Sequence, residues 1–243
     1  MAAGFCLRAG GLKPCGKSNP ISLILSIFIL APLTIALPKG RMARNSLSWL
    51  QRAGWSLPVS ENDRKLVIPS LDGALNYLLT KPMDVPVFVE QGAADLGIAG
   101  LDALRERAAD VYEPMRLPFG YCRLSVAAPV RHPQRPLRLE ISPRVATKYP
   151  RLAEAYFRKR GISAELIYMN GSVELGPLVG MADLIVDIIQ TGGTLKANDL
   201  VELQEIMPSQ AVLMVNRASY RLHADRILPM LRALRAVLPS DGE

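Results

Sequence analysis

The chain has 243 residues and a formal net charge of +7, with 49% hydrophobic and 21% charged residues. These proportions are typical of a folded globular protein and exclude extensive disorder. The length allows two modest α/β lobes or one large one. The positive charge is no evidence for nucleic-acid binding, because the basic residues form no Lys/Arg-rich stripe with interleaved aromatic side chains.

Cysteine and histidine are too few and too scattered for several common kinds of site. Cys6, Cys15 and Cys122 form no C-x-x-C pair, which argues against a zinc site or a disulfide framework and favours a reducing, cytoplasmic compartment. His132 and His223 have no partner at ligand spacing, so we interpret both as surface residues. This scarcity disfavours hydrolases that depend on Ser-His-Asp or Cys-His.

The N-terminus differs in character from the rest of the chain. Residues 21–30 are uncharged and apolar and follow three basic residues, which is the layout of a secretory signal. Extended to Leu37, the run is near the lower length limit of a membrane span, although Pro32 interrupts it. A signal or anchor, an upstream start and a packed native arm remain open. We favour residues 1–32 as an extension from an upstream start; recovery of peptides from residues 1–17 of the native protein would contradict this.

The first recognisable unit combines a strand, a turn and a helix. Residues 33–37 are a short apolar strand, and a helical pattern over residues 42–53 follows the turn Pro38-Lys39-Gly40-Arg41. Such a turn can bind an anion through backbone N–H groups, with Lys39 and Arg41 contacting phosphates; solvated turn charges are the alternative. A second cationic pair, Arg64-Lys65, precedes a short apolar strand.

The middle of the chain alternates between helical and strand patterns. Residues 129–136, rich in Pro and Arg, are our candidate for a crossing between lobes. Ser172 is a plausible N-cap in a further turn that also offers Glu174 as a ribose or metal contact. The predicted elements are a helix over 84–89, strands over 95–100, 111–117 and 121–128, a helix over 147–160, strands over 162–169 and 211–215, and a helix over 224–237.

The most informative segment is DLIVDIIQTGGTL, residues 183–195. Its apolar part predicts a buried strand, and Gly192 and Gly193 allow backbone angles that other residues avoid. A Gly-rich turn that opens a helix presents N–H groups to a phosphate, and Thr191 and Thr194 add hydroxyl groups. Asp183 and Asp187 could reach ribose hydroxyls or Mg²⁺. Together these groups suit a sugar phosphate, with an ordinary strand–turn–helix as the alternative.

Alternating strands and helices predict an α/β fold with parallel sheet. In such folds ligands lie beyond the carboxyl ends of the strands. The turns after residues 38, 169 and 189 are therefore expected to meet at one site.

Six segments in order, TIALPKGR, DVPVFVEQGAADLGIAG, RVATKYP, NGSVELGPLVG, DLIVDIIQTGGTL and VNRASY, resemble ATP phosphoribosyltransferase, the first enzyme of histidine biosynthesis. The resemblance covers residues 33–220 and leaves no room for a C-terminal histidine-binding domain. It therefore implies the short form of the family, expected as a homodimer that assembles with a regulatory subunit resembling histidyl-tRNA synthetase. It implies no membrane or nucleic-acid partner.

The resemblance implies two α/β lobes like those of type II periplasmic binding proteins, with the active site in the cleft between them. Lobe I is expected to comprise residues 33–125 with 216–243, and lobe II residues 126–215.

The implied reaction is attack by N1 of the ATP adenine on C1 of 5-phosphoribosyl pyrophosphate, with Mg²⁺ bound through the substrate phosphates. An adenine nitrogen is already a nucleophile, so the enzyme has to align two polyanions and stabilise the leaving pyrophosphate. Arg41 and Arg64 are the expected catalytic residues, and Lys39, Arg41 and Arg64 are expected to bind pyrophosphate or ATP phosphates. The residues expected to bind phosphoribosyl pyrophosphate are Glu174, Asp187, Thr191, Gly192, Gly193, Thr194 and Leu195.

Three positions depart from the family pattern: Gln91 stands for His, Leu101 for Lys and Asp199 for Gly.

Three other functions remain open. A secreted solute-binding protein would share the fold; a type I phosphoribosyltransferase would carry adjacent acids where this chain has Asp187-Ile188; and a silent partner subunit would lack the intact phosphate-binding set.

Overall fold

The computed structural model describes residues 31–55, 65–131 and 142–238. The predictions for Arg64, His132, Cys6 and Cys15, for residues 1–30 and for most of the 129–136 connection lie outside the described residues. Within them the helices and strands, in chain order, are β1 (Leu33–Pro38), α1 (Arg41–Arg52), β2 (Val67–Pro69), β3 (Leu75–Thr80), α2 (Val85–Glu90), β4 (Leu96–Gly100), α3 (Leu101–Arg107), β5 (Tyr112–Arg116), β6 (Cys122–Pro129), β7 (Arg144–Thr147), α4 (Pro150–Lys159), β8 (Glu165–Tyr168), α5 (Leu175–Leu178), β9 (Leu184–Ile189), α6 (Gly193–Ala197), β10 (Leu200–Ser209), β11 (Ala211–Val215), α7 (Arg217–Leu222) and α8 (Ala224–Ala236).

The strands form two sheets, each the centre of one lobe. The sheet of lobe I has the order β2-β3-β1-β4-β11-β5, and that of lobe II the order β10-β6-β9-β7-β8. The α/β class and the two lobes are confirmed. The sheets are parallel only at β3-β1-β4 and β8-β7-β9; the remaining pairs are antiparallel, so the expectation of parallel sheet holds only in part.

The chain crosses between the lobes at two places that differ from the prediction. It leaves the first sheet after β5 and enters the second at β6, so the first crossing is at residues 117–121 and not at 129–136. It returns at Gln210, between β10 and β11. The proposed boundaries at 125/126 and 215/216 therefore need correction, because β6 belongs wholly to lobe II and β11 to lobe I. The short connection with Gly120 at φ 73° makes the turn that the Pro-rich segment was expected to make.

The core of each lobe forms mainly between its own helices and its own sheet. Helix α1 places Trp49 and Leu50 against β1 and β3, and α8 adds Ile227 and Leu234 to the same core. In lobe II, α4 buries Ala153, Tyr156 and Phe157 against the second sheet. These spacings place the apolar side chains on one helix face, which is how an amphipathic helix packs on a sheet.

Several elements had no clear sequence pattern. Strands β3, β7 and β10 and helices α3 and α7 were not predicted; β10 is half-exposed along most of its length and so lacks a simple alternation. Thr147 ends strand β7, and helix α4 begins only at Pro150. Ser172 is not an N-cap, because Glu174 precedes α5 and Ser172 has φ 49°. None of the described helices is long and apolar enough to cross a membrane.

Candidate active site

One cavity of about 530 Å³ lies between the lobes, at the carboxyl ends of β1 and β9. Its volume is in the range usual for small-molecule sites. The three Gly-bearing turns that the sequence singled out do meet here, because Arg41, Glu174 and residues 190–195 all contribute to its wall. The remaining lining residues are Met42, Asn45, Gly120, Cys122, Ser125, Ala127, Ile185, Asp187, Ile188 and Ile189.

The loop over residues 191–195 forms one end of the cavity. Gly192 has φ 77°, a left-handed conformation that favours glycine, and it turns the chain from β9 into α6. Leu195 is buried beside Ile185, Ile189 and Leu200, so its side chain anchors the loop. Since α6 has five residues, the loop N–H groups and the Thr191 and Thr194 hydroxyls matter more than any helix dipole.

Asp187 and Glu174 supply the acidic groups of the cavity. Burial is the main cause that raises the pKa of Asp187 to about 6; the nearby Glu174 charge acts in the same direction, and the Ile188 N–H at 2.8 Å and Lys148 oppose the shift. A desolvated carboxylate beside a second one suits a ligand that brings hydroxyl donors or a cation.

Asp183 does not belong to the site. It lies just before β9, at the opposite end of the strand, where Arg144 donates to it from its backbone N at 2.9 Å and its guanidinium at 2.8 Å. The interpretation of both aspartates as ribose or metal contacts is therefore wrong for Asp183. The sequence pattern predicts both acids at one strand end, but strand β9 begins at Leu184, so Asp183 lies before its first residue and Asp187 near its last.

Ser125 is a cavity residue that the sequence reasoning missed. It is buried on β6 directly opposite Asp187 on β9, and its hydroxyl donates to Glu202 at 2.7 Å. Glu202 is also bonded by Arg123, which fixes the carboxylate. The alternation of β6 places Ser125 and Ala127 on one face, but only the strand register shows which face that is.

The basic residues proposed for phosphate binding are not equivalent in the structure. Arg41 is the first residue of α1, after Gly40 at φ 87°, and its guanidinium donates to the side chain of Gln190 across the cleft. Lys39 is exposed and is not among the described lining residues; its backbone N donates to Thr80 O at 3.0 Å. The sequence therefore grouped two residues of which the structure brings only Arg41 to the cavity.

The structure accounts for two of the three departures from the family pattern. Leu101 begins α3 and is buried, which suits an apolar side chain. Asp199 has φ 50°, so it adopts the left-handed conformation that a glycine would take there more easily.

Comparison with known proteins decides between the open interpretations. A family model described as ATP phosphoribosyltransferase matches residues 81–236 of the chain. The chain belongs to the ATP phosphoribosyltransferase family. The family resemblance drawn from the six sequence segments is thereby confirmed.

Individual relatives of this family agree along nearly the whole described chain. An ATP phosphoribosyltransferase of Sorangium cellulosum is 49% identical over 212 residues, which cover 87% of this chain and 98% of that protein. One from Caldanaerobacter subterraneus is 46% identical over 207 residues, covering 85% and 97%. These lengths agree with the short form of the enzyme.

Solved structures give the same result at the level of the fold. The ATP phosphoribosyl transferase (HisG:HisZ) complex from Thermotoga maritima contains a chain that is 33% identical, with a TM-score of 0.74, covering 84% of this chain and 98% of that one. The periplasmic aliphatic sulphonate binding protein SsuA of Escherichia coli has a TM-score of 0.57 at 13% identity, covering 84% and 72%. This second likeness shows the fold alone and confirms the type II periplasmic-binding-protein architecture.

Proposed function

We propose that the cavity between the lobes is where this enzyme transfers the phosphoribosyl group of 5-phosphoribosyl pyrophosphate to N1 of the ATP adenine, releasing pyrophosphate. This is the first step of histidine biosynthesis. The observation that carries the proposal is the meeting, in one cavity, of the Gly-rich loop and Asp187 from lobe II with Arg41 from lobe I.

Each group has a role that its chemistry supports. The N–H groups of residues 191–195 and the hydroxyls of Thr191 and Thr194 bind the 5-phosphate. Asp187 and Glu174 accept hydrogen bonds from the ribose hydroxyls. Arg41 binds the leaving pyrophosphate, because a guanidinium offers a planar pair of donors to phosphate oxygens. Lys39 and Arg64 remain proposed phosphate contacts.

No general base is required of the protein. The adenine N1 lone pair attacks C1, the C1–O bond to pyrophosphate breaks, and the leaving group carries the electron pair away. The residues of both lobes contribute alignment and a charged environment for the departing pyrophosphate, which are effects that can account for most of an enzymatic rate enhancement.

The residues present fit a magnesium ion that arrives with its substrate. Asp187 and Glu174 are hard oxygen donors lining one cavity, and Mg²⁺ is usually held by one or two carboxylates together with substrate phosphates. The described residues contain no cluster of three or more acidic, His or Cys groups that would hold a metal alone. When bound, Mg²⁺ would neutralise charge on the pyrophosphate.

We further infer that the chain forms a homodimer, assembles with a regulatory subunit and works in the cytoplasm. The Thermotoga maritima relative was solved as a HisG:HisZ complex, which supports a hetero-oligomer. Cys122, which is a free thiol, suits a reducing compartment.

A pyrophosphate-release assay tests the proposed function directly. Purified protein should release pyrophosphate only when ATP, phosphoribosyl pyrophosphate and Mg²⁺ are all present, with or without a co-expressed regulatory subunit. Folded protein that releases none in either condition would refute the assignment. Omitting ATP is the control for simple hydrolysis of phosphoribosyl pyrophosphate.

A further inference from the structure

Helix α3 of lobe I makes a set of buried polar contacts with lobe II that the proposed reaction does not use. The helix begins at the second crossing of the chain, where Leu101 N donates to Gln210 O at 2.9 Å. Its two acidic residues on one face, Asp102 and Glu106, are both buried. A spacing of four residues places them one above the other along that face.

Asp102 binds two different parts of lobe II. The Tyr149 hydroxyl, in the turn between β7 and α4, donates to one carboxylate oxygen at 2.9 Å. The Ser209 hydroxyl, at the end of β10, donates to the other at 2.6 Å and accepts from Asp102 N at 3.1 Å. A side chain on Gly100 would collide with this carboxylate, so the glycine makes room for it.

Glu106 holds the first turn of α4. Its two carboxylate oxygens accept from Arg151 N at 2.9 Å and Leu152 N at 3.0 Å. Pro150 has no N–H and Ala153 N bonds to Tyr149 O, so Glu106 satisfies the donors of this turn that have no partner within the helix. A helix of one lobe is thus capped by a carboxylate of the other.

The contacts between α3 and lobe II, which we call the junction, lie next to the cavity. Ser209 is the cross-strand partner of Cys122, which lines the cavity wall. Ala103 of α3 and Met83 pack in the same buried cluster as Tyr149, Ala153 and Tyr156 of lobe II. Polar and apolar contacts together therefore fix lobe II on α3 beside the two crossings.

We propose that Asp102 and Glu106 are positioning residues, which through α3 set the alignment of the loop over residues 191–195 of lobe II with Arg41 of lobe I. The inference rests on the proposed function, in which the two substrates are held partly by different lobes. Misalignment of reacting groups by about 1 Å can lower a rate on the order of a hundredfold. Binding that uses lobe II alone does not depend on this alignment.

Glu106→Ala and Tyr149→Phe test the proposal, with Glu154→Ala on the exposed face of α4 as the matched control. Pyrophosphate release is measured beside the affinity for ribose 5-phosphate, whose proposed contacts lie wholly in lobe II. We expect turnover to fall about ten- to a hundredfold for Glu106→Ala, and less for Tyr149→Phe, while ribose 5-phosphate binds within about twofold of wild type. The control should retain both properties.

Unchanged turnover in both variants would overturn the proposal, as would a parallel loss of turnover and ribose 5-phosphate binding, which indicates a purely structural role. Tyr149→Phe keeps the buried ring and so serves if Glu106→Ala does not fold. Wild-type protein in the same assay separates the positioning proposal from the proposed function. Inactive wild-type protein would refute the proposed function, whereas the positioning proposal is judged from the variants relative to an active wild type.

Discussion

Ser125 and Asp187 lie directly opposite each other on the antiparallel strands β6 and β9, and both face the cavity between the lobes. The serine hydroxyl nevertheless donates to Glu202 on β10, the other neighbour of β6 in the sheet. Asp187 accepts a hydrogen bond from Ile188 N, and it lines the cavity with Glu174 nearby. The buried Asp187 carboxylate beside Glu174 is therefore a group that a ligand with hydroxyl donors would stabilise.

We predict that Asp187→Asn stabilises the fold and abolishes turnover. Because burial raises the pKa of Asp187 from 3.8 to about 6, the folded protein binds more protons than the unfolded chain between these pH values. Stability therefore falls as pH rises through this window, and the full penalty, at most on the order of 2 to 3 kcal/mol, is present above pH 6. Thermal unfolding should show a higher Tm for the variant at pH 7.5 and a much smaller difference at pH 4.

The matched control lies at the other end of the same strand. Asp183→Asn removes a charge from the pair with Arg144, so it should lower the Tm at pH 7.5 and leave the affinity for phosphoribosyl pyrophosphate unchanged. Opposite effects on stability from two aspartates four residues apart would identify Asp187 as the functional one. A lower Tm for Asp187→Asn would contradict the burial argument.

The parts of the site that could be predicted from the sequence are those fixed by local backbone chemistry. The glycines at 40 and 192 mark turns with positive φ, and the apolar runs before them predict strands β1 and β9. Because ligands in such folds lie beyond the carboxyl ends of the strands, these turns are predicted to meet at one site. Arg41, Glu174, Asp187 and residues 191–195 do line one cavity.

What could not be predicted depends on contacts between distant segments. Ser125 reaches the cavity through the register of β6 with β9, and Asp183 is excluded because Arg144 approaches it from β7. The crossing at residues 117–121 was missed because Pro-rich composition elsewhere gave a stronger local pattern. The carboxylates of α3 bind residues between 45 and 107 positions away, and a single sequence contains no record of such pairings.

We predict that Gly192→Ala weakens the binding of phosphoribosyl pyrophosphate. A Cβ at Gly192 meets nothing within 4 Å, so the substitution tests only the left-handed conformation at φ 77°, which costs an alanine about 1 kcal/mol or more. The loop should shift to relieve this strain and move its N–H groups away from the 5-phosphate. Calorimetric titration should show an affinity about five- to tenfold lower, a conversion of that free energy.

Gly193→Ala is the matched control for the effect of Gly192→Ala on stability. Gly193 has no positive φ, and its Cβ would have only an ordinary contact with the Thr191 hydroxyl at 3.7 Å. Chemical denaturation should therefore show a larger loss of stability for Gly192→Ala than for Gly193→Ala. Equal losses would mean that backbone strain at Gly192 is not what the loop depends on.

We predict that Asn216→Ala is strongly destabilising although Asn216 lies outside the cavity. Its side-chain oxygen accepts from Ala218 N and Ser219 N, both at 2.9 Å, and caps α7. Its amide donates to Val89 O at 2.8 Å at the end of α2. Losing a cap and leaving buried groups unpaired should cost about 2 to 4 kcal/mol. Asn216→Asp keeps the cap but sets a carboxylate oxygen against the Val89 and Glu90 carbonyl oxygens, so urea denaturation should show that it recovers less than half of the loss.

We predict that Arg41→Ala lowers turnover far more than Lys39→Ala, although the two residues flank one glycine. Arg41 lines the cavity and reaches Gln190 on the opposite lobe, whereas Lys39 is exposed and lies outside the described lining. A guanidinium that binds the leaving pyrophosphate stabilises charge that develops as the C1–O bond breaks, so its loss should appear mainly in kcat, by about a hundredfold or more.

Lys39→Ala should raise KM for ATP by a few fold at low salt, because an exposed charge acts mainly through screened attraction. Steady-state pyrophosphate release at two salt concentrations measures both effects. Similar kcat losses for the two variants would show that the cavity wall does not distinguish them.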